Sequence, residues 1–292
     1  MLTRSLTTIL FCCLAVLINV SFAYSATSNI PKKNRFPCRD SIIQYFPQPV
    51  LDRLLSIHQH VVFHETMCAE LPEQLMHVSY LKQGDKVLEL GANTGRSTLV
   101  LAKQVGPQGA VYASEIHHKL RQQLQKTIHE NRLEHYVKAY PAFSKKTLLY
   151  NDSDWKSLVW PEKKPIPKGW SVAEIANPPT ASFNVVVADC EGCLLPLLEA
   201  YPKLLDSVDR IILENDAPTI QINHLHGLLR KKGFASRKCL PLHEKLIAVK
   251  SGTHLSVGPR TWLNQILYEE QPHARACFYQ YWQRASDGTP TF

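Results

Sequence analysis

The sequence predicts a mostly parallel α/β sheet with helices on both faces, and three observations carry that expectation. Short apolar runs at 87–90, 110–114, 183–188 and 210–213 alternate with longer stretches of helical periodicity, as strands joined by crossover helices do. A glycine turn, Gly91-Ala92-Asn93-Thr94-Gly95, links the first run directly to a helix. Glu89, Glu115, Asp189 and Glu214 fall where the carboxyl ends of strands are expected. In open α/β sheets ligands bind beyond those ends. The four acids therefore point to a single site.

Composition sets the outer bounds. The chain has 292 residues, 45% of them apolar, and a formal net charge of +8, enough for one full α/β domain with additions. Lysines and arginines are scattered, which argues for a solvated basic surface and against a dedicated nucleic-acid stripe. No nucleic-acid partner is expected. Arg4 precedes the apolar run Ile9–Ile18, followed by small residues at Ser21, Ala23, Ser25 and Ala26. Residues 1–26 thus read as a secretory signal peptide, with a signal-anchor helix as the rival. The expected location is the secretory pathway, or a membrane reached through that segment. Six cysteines remain beyond it, an even number that permits disulfides without fixing their pairing.

Residues 27–48 are polar and proline-bearing and read as a linker. A helical addition is expected over 49–82, with one helix from Val50 to His64 and a second over Glu65–Leu81, in a position suited to a lid or substrate wall. His58, His60 and His64 lie close in sequence, but no acid or cysteine completes a recognisable ligand pattern. They are taken as structural, and no metal ligands are assigned. The main domain is expected over 83–250.

Within it, the central turn lacks the glycines of a dinucleotide fingerprint, because Asn93 and Arg96 occupy their places. Glycine at 91 and 95 suggests a close approach of ligand to backbone, and the helix start adds unpaired N–H groups. Glu89 is placed to accept hydrogen bonds from a ligand's amine or hydroxyls. Glu115 ends the second strand at the position that holds ribose hydroxyls in such folds. A third strand fits His135–Tyr140, and the turn Pro141-Ala142-Phe143-Ser144 can close over an adenine. Residues 145–180, proline-bearing and rich in tryptophan, read as an insertion. Asp189-Cys190-Glu191-Gly192-Cys193 follows the fourth strand, and a fifth runs to Glu214. A helix over Pro218–Lys232 and strands near Ser236–Leu240 and Leu246–Lys250 complete the domain. Residues 251–292 form a C-terminal extension.

Val87–Gly95, the Asp189–Gly192 element, the Glu214 strand and the Gly233-Phe234 turn together resemble the FkbM-type methyltransferases. The resemblance implies a Rossmann-like, doubly wound sheet of seven strands that binds S-adenosylmethionine and transfers its methyl group, often to a hydroxyl oxygen. On that resemblance Glu89, Gly91, Ala92, Asn93, Thr94, Gly95, Glu115 and Ala142 contact the cofactor. Asp189 lies near its methionine part and the substrate. A hydroxyl acceptor benefits from a base, for which Asp189 and Glu191 are the carboxylates at hand. The expected acceptor is a small molecule or glycan.

Two other classes compete. A secreted binding protein that kept the fold without catalysis accords with a donor made in the cytosol, but not with an intact Glu89, Gly91, Gly95 and Glu115. Cys190-Glu191-Gly192-Cys193 is a C-x-x-C pair as in thiol–disulfide oxidoreductases, a reading that leaves the Glu89–Glu115 unit unexplained.

Overall fold

The computed structural model describes residues 38, 41–151, 157–161, 163–215, 219–240 and 277–285. The proposed signal segment, most of the linker and the strand expected at 246–250 lie outside the described residues. A short 3-10 helix, Ser41–Tyr45, leads to α1 (Gln48–Gln59) and α2 (Leu71–Tyr80). The second helix starts six residues later than its apolar pattern suggests. Its first turn carries Pro72, which suits a helix start, and Glu70 before it adopts a left-handed φ of 53°. Eight of its ten residues are buried, Glu73, Gln74 and His77 among them, so it is wall rather than surface.

The alternating unit follows as β1 (Lys86–Leu90), α3 (Arg96–Val105), β2 (Ala110–Ser114), α4 (His118–Glu130) and β3 (Val137–Tyr140). β4 (Ala142–Phe143) precedes the expected insertion, which holds β5 (Leu148–Asn151), β6 (Ser157–Val159), β7 (Trp170–Val172) and β8 (Ile175–Ala176). These build a two-stranded and a three-stranded sheet apart from the main one. Trp155 lies outside the described residues. The chain returns to the core with β9 (Val185–Ala188), α5 (Leu194–Ala200), β10 (Arg210–Glu214), α6 (Thr219–Lys231), β11 (Phe234–Leu240) and β12 (Tyr279–Arg284).

The main sheet has seven strands in the order β11-β12-β10-β9-β1-β2-β3. β1, β2, β3, β9 and β10 pair in parallel, and β12 runs antiparallel between β10 and β11. This is the seven-stranded, doubly wound α/β architecture expected. Strands buried on both faces read as continuous apolar runs: every residue of β9, Val-Val-Val-Ala, is buried. One boundary differs. Residues 279–284 of the expected C-terminal extension complete the sheet, with Trp282 at 1% exposure and Arg210 opposite Gln283 through Glu214 opposite Tyr279. Tyr-Gln-Tyr-Trp-Gln-Arg mixes polar and aromatic residues, and its partners lie far away in sequence. No local periodicity distinguishes it from a tail.

The amino-terminal edge of the sheet is pinned by a buried ion pair. Arg210 donates to Asp85 through both terminal nitrogens (2.9 and 2.7 Å) and also to the Tyr80 carbonyl (2.9 Å). Asn184 Nδ2 donates to Asp85 Oδ1 (2.9 Å), while Asn184 Oδ1 accepts the Lys86 N–H (2.7 Å). Thus α2, β1, β9 and β10 are joined at one point. Because Asp85 and Arg210 are both buried, Arg210→Ala leaves an uncompensated carboxylate and is expected to cost about 3–5 kcal/mol, read by urea unfolding. A loss comparable to that of an exposed arginine would contradict this role.

Candidate functional site

The sheet reverses its winding between β1 and β9, the switch point at which such folds bind ligands. Gly91 leaves β1 there with a φ of 87°. A Cβ built on it would lie 1.6 Å from the Asp189 carbonyl oxygen and 3.2 Å from Cys190 Cα. The glycine is therefore required by the backbone leaving β9, which corrects the expectation of a face kept bare for a ligand. Gly95 is constrained more softly. Its Cβ would meet Leu124 Cδ1 at 3.0 Å and Thr127 Cγ2 at 3.1 Å, both side-chain atoms of α4.

All five amides of the turn are engaged internally. Gly91 and Ala92 donate to the Ser114 carbonyl (both 3.0 Å), and Gly95 donates to the Ala92 carbonyl (2.9 Å). Asn93 donates to Glu115 Oε2 (2.7 Å), and Thr94 donates to Asn93 Oδ1 (2.8 Å). A pyrophosphate needs free amides at this turn, so the geometry does not suit a dinucleotide. Hydroxyls and an amine are better served, because the groups around the turn are carboxylates.

Glu89 and Glu115 supply two of them. Glu89 is buried in β1, and its Oε2 accepts from the Thr98 hydroxyl on α3 (2.7 Å), while Oε1 has no partner. Burial, reinforced by the charges of Glu73 and Glu115 and opposed by the Thr98 hydrogen bond, pushes its carboxyl up to about 8. An unpartnered acceptor at this depth suits an ammonium or hydroxyl donor. Glu115 follows β2 and accepts from the Asn93 and His117 amides (2.7 and 2.8 Å). Burial raises its carboxyl, and those two hydrogen bonds oppose the rise. Each oxygen retains a second lone pair for a hydroxyl.

The structure also gathers residues that the sequence left apart. Ligand oxygens of Glu70, Glu73 and Asp189 lie within 4.8 Å of one another. Arg96 at the start of α3 reaches Glu70 Oε2 (2.6 Å), Glu65 Oε2 (3.1 Å) and the Thr66 carbonyl (3.0 Å), fastening the 65–70 loop over the turn. Ser97 donates to Glu73 Oε2 (3.0 Å). Glu214 ends β10 opposite Tyr279. The phenol of Tyr279 is raised well above its ordinary value by burial, then by the charges of Glu214, Glu73, Asp189 and Glu70. A shallow cleft of about 350 Å³, counting space open to solvent, runs beside these strand ends past Cys190, Gly192, Glu214 and Asn215. Glu70, Glu73 and Tyr279 were not singled out from the sequence. The only signal for the first two was acids at the edge of a helix expected to wall the site.

Other expected site residues fall differently. Ala92 and Thr94 are buried within the turn. Ala142 is buried and paired with Ile175 in a small parallel sheet, where the sequence suggests a turn that can close over an adenine. The proline before it redirects the chain into the insertion. Glu191 adopts a φ of 54° beside Gly192 at 85°, and Asp189 rather than Glu191 joins the acidic group. Cys190 and Cys193 form a disulfide, as do Cys239 and Cys277. His58, His60 and His64 contact Gln74, the Ser56 carbonyl and Glu130 separately.

Two measurements test this geometry. Gly91→Ala is expected to destabilise the fold by about 3 kcal/mol or more, because backbone atoms must move. Gly95→Ala should cost less than Gly91→Ala, about 1–2 kcal/mol, because side chains of α4 can yield. Equal losses would refute the ranking. Since Glu89 is raised from 4.5 to about 8, the folded state holds a proton that the unfolded chain releases. That contribution to stability is complete below the unfolded value and is lost as the pH rises through about 8. Glu89→Gln should therefore gain stability relative to the wild type between about pH 5 and pH 8 in unfolding titrations. Parallel curves would count against the buried proton.

Residues 34–147 match the family profile of protein-L-isoaspartate(D-aspartate) O-methyltransferases. That span holds α1, α2, the glycine turn, Glu115 and the first three strands, and it names a methyltransferase family other than the FkbM type. No curated protein matches the sequence. Among solved structures, an S-adenosylmethionine-dependent O-methyltransferase from Thermotoga maritima is 11% identical, covering 82% of this chain and 73% of that one with a TM-score of 0.41. Fibrillarin from Aeropyrum pernix, solved with S-adenosylmethionine, is 14% identical over 73% of this chain and 74% of its own, with a TM-score of 0.38. A protein from Streptococcus pneumoniae described as a putative tRNA (m1A22) methyltransferase, also solved with S-adenosylmethionine, is 14% identical over 75% of each chain at 0.42. Superpositions of this degree add nothing to the topology already described. From its sheet order, its switch-point turn and the matched profile, the chain has the fold of an S-adenosylmethionine-dependent methyltransferase, with S-adenosylmethionine as the cofactor of its site.

Proposed function

We propose that the protein is an O-methyltransferase acting on a hydroxyl of a small molecule or glycan. The observation that carries this is the acidic acceptor side, where Glu70, Glu73 and Asp189 converge beside the cofactor turn with Tyr279 and Glu214 around them. An anionic acceptor, whether a peptide carboxylate or a nucleic-acid backbone, meets like charges there, which disfavour it. A neutral hydroxyl meets groups that accept its proton. The Asp189–Gly192 element and its FkbM-type resemblance support the same reading.

The cofactor supplies a methyl group on a sulfonium, so the leaving group needs no acid. What the chain contributes is position and a base. Glu89 and Glu115 orient groups of the methyl donor at the turn. Asp189, at the mouth of β9, takes the acceptor proton, and Glu191 in the same turn is the second candidate for that role. The 65–70 loop, fastened by Arg96, helps exclude water from the turn. For location, we propose passage into the secretory pathway or anchoring through residues 1–26. The disulfides Cys190–Cys193 and Cys239–Cys277 support an oxidising compartment.

Calorimetry with S-adenosylmethionine followed by a panel of hydroxylated, carboxylated and polynucleotide acceptors tests the proposal. Turnover of a hydroxyl acceptor is expected, and Asp189→Asn should lower kcat about 10²–10⁴-fold with cofactor binding retained. Failure of the folded protein to bind the cofactor, or turnover confined to anionic acceptors, would sink it.

A further inference from the structure

We propose that the cleft between α5 and α6 holds an apolar arm of the acceptor, and that Asn215 Oδ1 accepts a hydrogen bond from a neutral O–H or N–H donor on that arm. The walls are apolar. Leu194 and Leu195 come from α5, Leu213 from β10, and Ile222 and Leu225 from α6, and all are buried. Ala188 and Cys190, which flank Asp189 in the chain, line the same cleft. The arm would therefore lie beside the carboxylate proposed to take the acceptor proton. Among the described residues, the polar side chains lining the cleft besides Asn215 are Glu214 and Gln221.

Asn215 distinguishes this cleft from an ordinary crevice between helices. It is 4% exposed, and its Oδ1 has no hydrogen-bond partner among the described residues. An acceptor left unmatched at that depth carries a desolvation cost that a ligand's donor removes. Turning the amide over does not relieve it. Nδ2 donates to the Cys277 carbonyl (2.7 Å), which can only accept, so exchanging the two ends would set oxygen against oxygen. The backbone is held as well, since the Asn215 N–H donates to the Phe278 carbonyl (2.8 Å). Cys277 is itself bonded to Cys239 on β11. The oxygen is thus fixed in place before any ligand arrives, which reduces the ordering cost of binding.

These features select among neutral acceptors. A sugar carries hydroxyls on every side, and most would be left unpaired against the apolar walls. An anionic arm would meet Glu214. An aromatic or aliphatic arm with one donor fits both the walls and the free oxygen. A molecule of the same shape without the donor leaves Oδ1 unmatched, the situation in which sites discriminate well. The inference narrows the proposed acceptor to an amphipathic small molecule instead of a glycan. That the occupant is the methyl acceptor rests on the methyltransferase reading. Occupation of the cleft by such a molecule does not.

The test uses the full-length protein with 4-ethylphenol, its methyl ether 4-ethylanisole and methyl β-glucoside as binding probes. Binding is followed by calorimetry and by the NMR signal of the Asn215 side-chain amide, assigned from the backbone of that residue. 4-Ethylphenol is expected to shift that signal and to bind with a Kd of about 0.1–10 mM, as befits a ligand of its size. It should bind about tenfold or more tighter than the ether. Asn215→Leu should abolish that preference, with a cooperative urea transition showing that the variant is folded. Gln221→Trp, at an exposed position on the cleft, should abolish binding of both aromatic probes without touching the core. Equal binding of phenol and ether, an Asn215 signal that does not move, tighter binding of the glucoside, or unchanged binding in Gln221→Trp overturns the inference. S-adenosylmethionine binding without these effects overturns this inference alone, whereas the effects without S-adenosylmethionine binding overturn the methyltransferase reading alone.

Discussion

Everything at this site depends on how closely the backbone leaving β1 approaches the backbone leaving β9. The space beside Gly91 is already occupied by the Asp189 carbonyl, 1.6 Å from where a Cβ would sit. A neighbouring parallel pair normally diverges once its ladder ends. Here Asp189 N–H still donates to the Leu90 carbonyl (3.0 Å), so the two chains stay together for one residue beyond the paired strands. That contact sets Asp189 beside the cofactor turn. Glu89 and Glu115 stand at the ends of β1 and β2, and Glu70 and Glu73 meet Asp189 at the end of β9.

The opposite edge of the sheet supplies the rigidity this closeness requires. Asp85, Asn184 and Arg210 lock the starts of β1, β9 and β10 in register. With the amino-terminal ends fixed, three or four residues of strand deliver the carboxyl ends to defined positions. Val87 opposite Val185 and Leu90 opposite Ala188 mark the two limits of that register. The buried ion pair is better understood as setting register than as a source of net stability, since desolvation offsets much of its attraction.

What was legible in the sequence follows the reach of local periodicity. β1, β2, β9 and β10 announce themselves because strands buried on both faces must be apolar throughout. Glu89, Glu115 and Asp189 are legible because they interrupt or end those runs. Gly91 was found for a reason that the structure reverses: a glycine shows that space is restricted, not what occupies it. Glu70 and Glu73 are invisible to such reasoning, since a helix N-terminus with acids is ordinary. Only the packing of α2 beneath the turn makes Glu73 a buried residue. Tyr279 escapes for the same reason as β12, because its register is dictated by Glu214 and its neighbours some sixty residues earlier.

The overall charge and the local charge point in opposite directions, and the difference bears on selectivity. The chain carries a formal +8, yet carboxylates dominate the groups that converge at the switch point. Long-range attraction scales with the first and is screened beyond about 8–10 Å at physiological salt. Discrimination at the reacting atom depends on the second, where burial weakens screening. On the function proposed above, a basic exterior would gather an anionic surface or an acceptor with a distant acidic group, while the interior would reject negative charge at the methylated position. An acceptor selected in that way would carry its hydroxyl on a neutral part of the molecule.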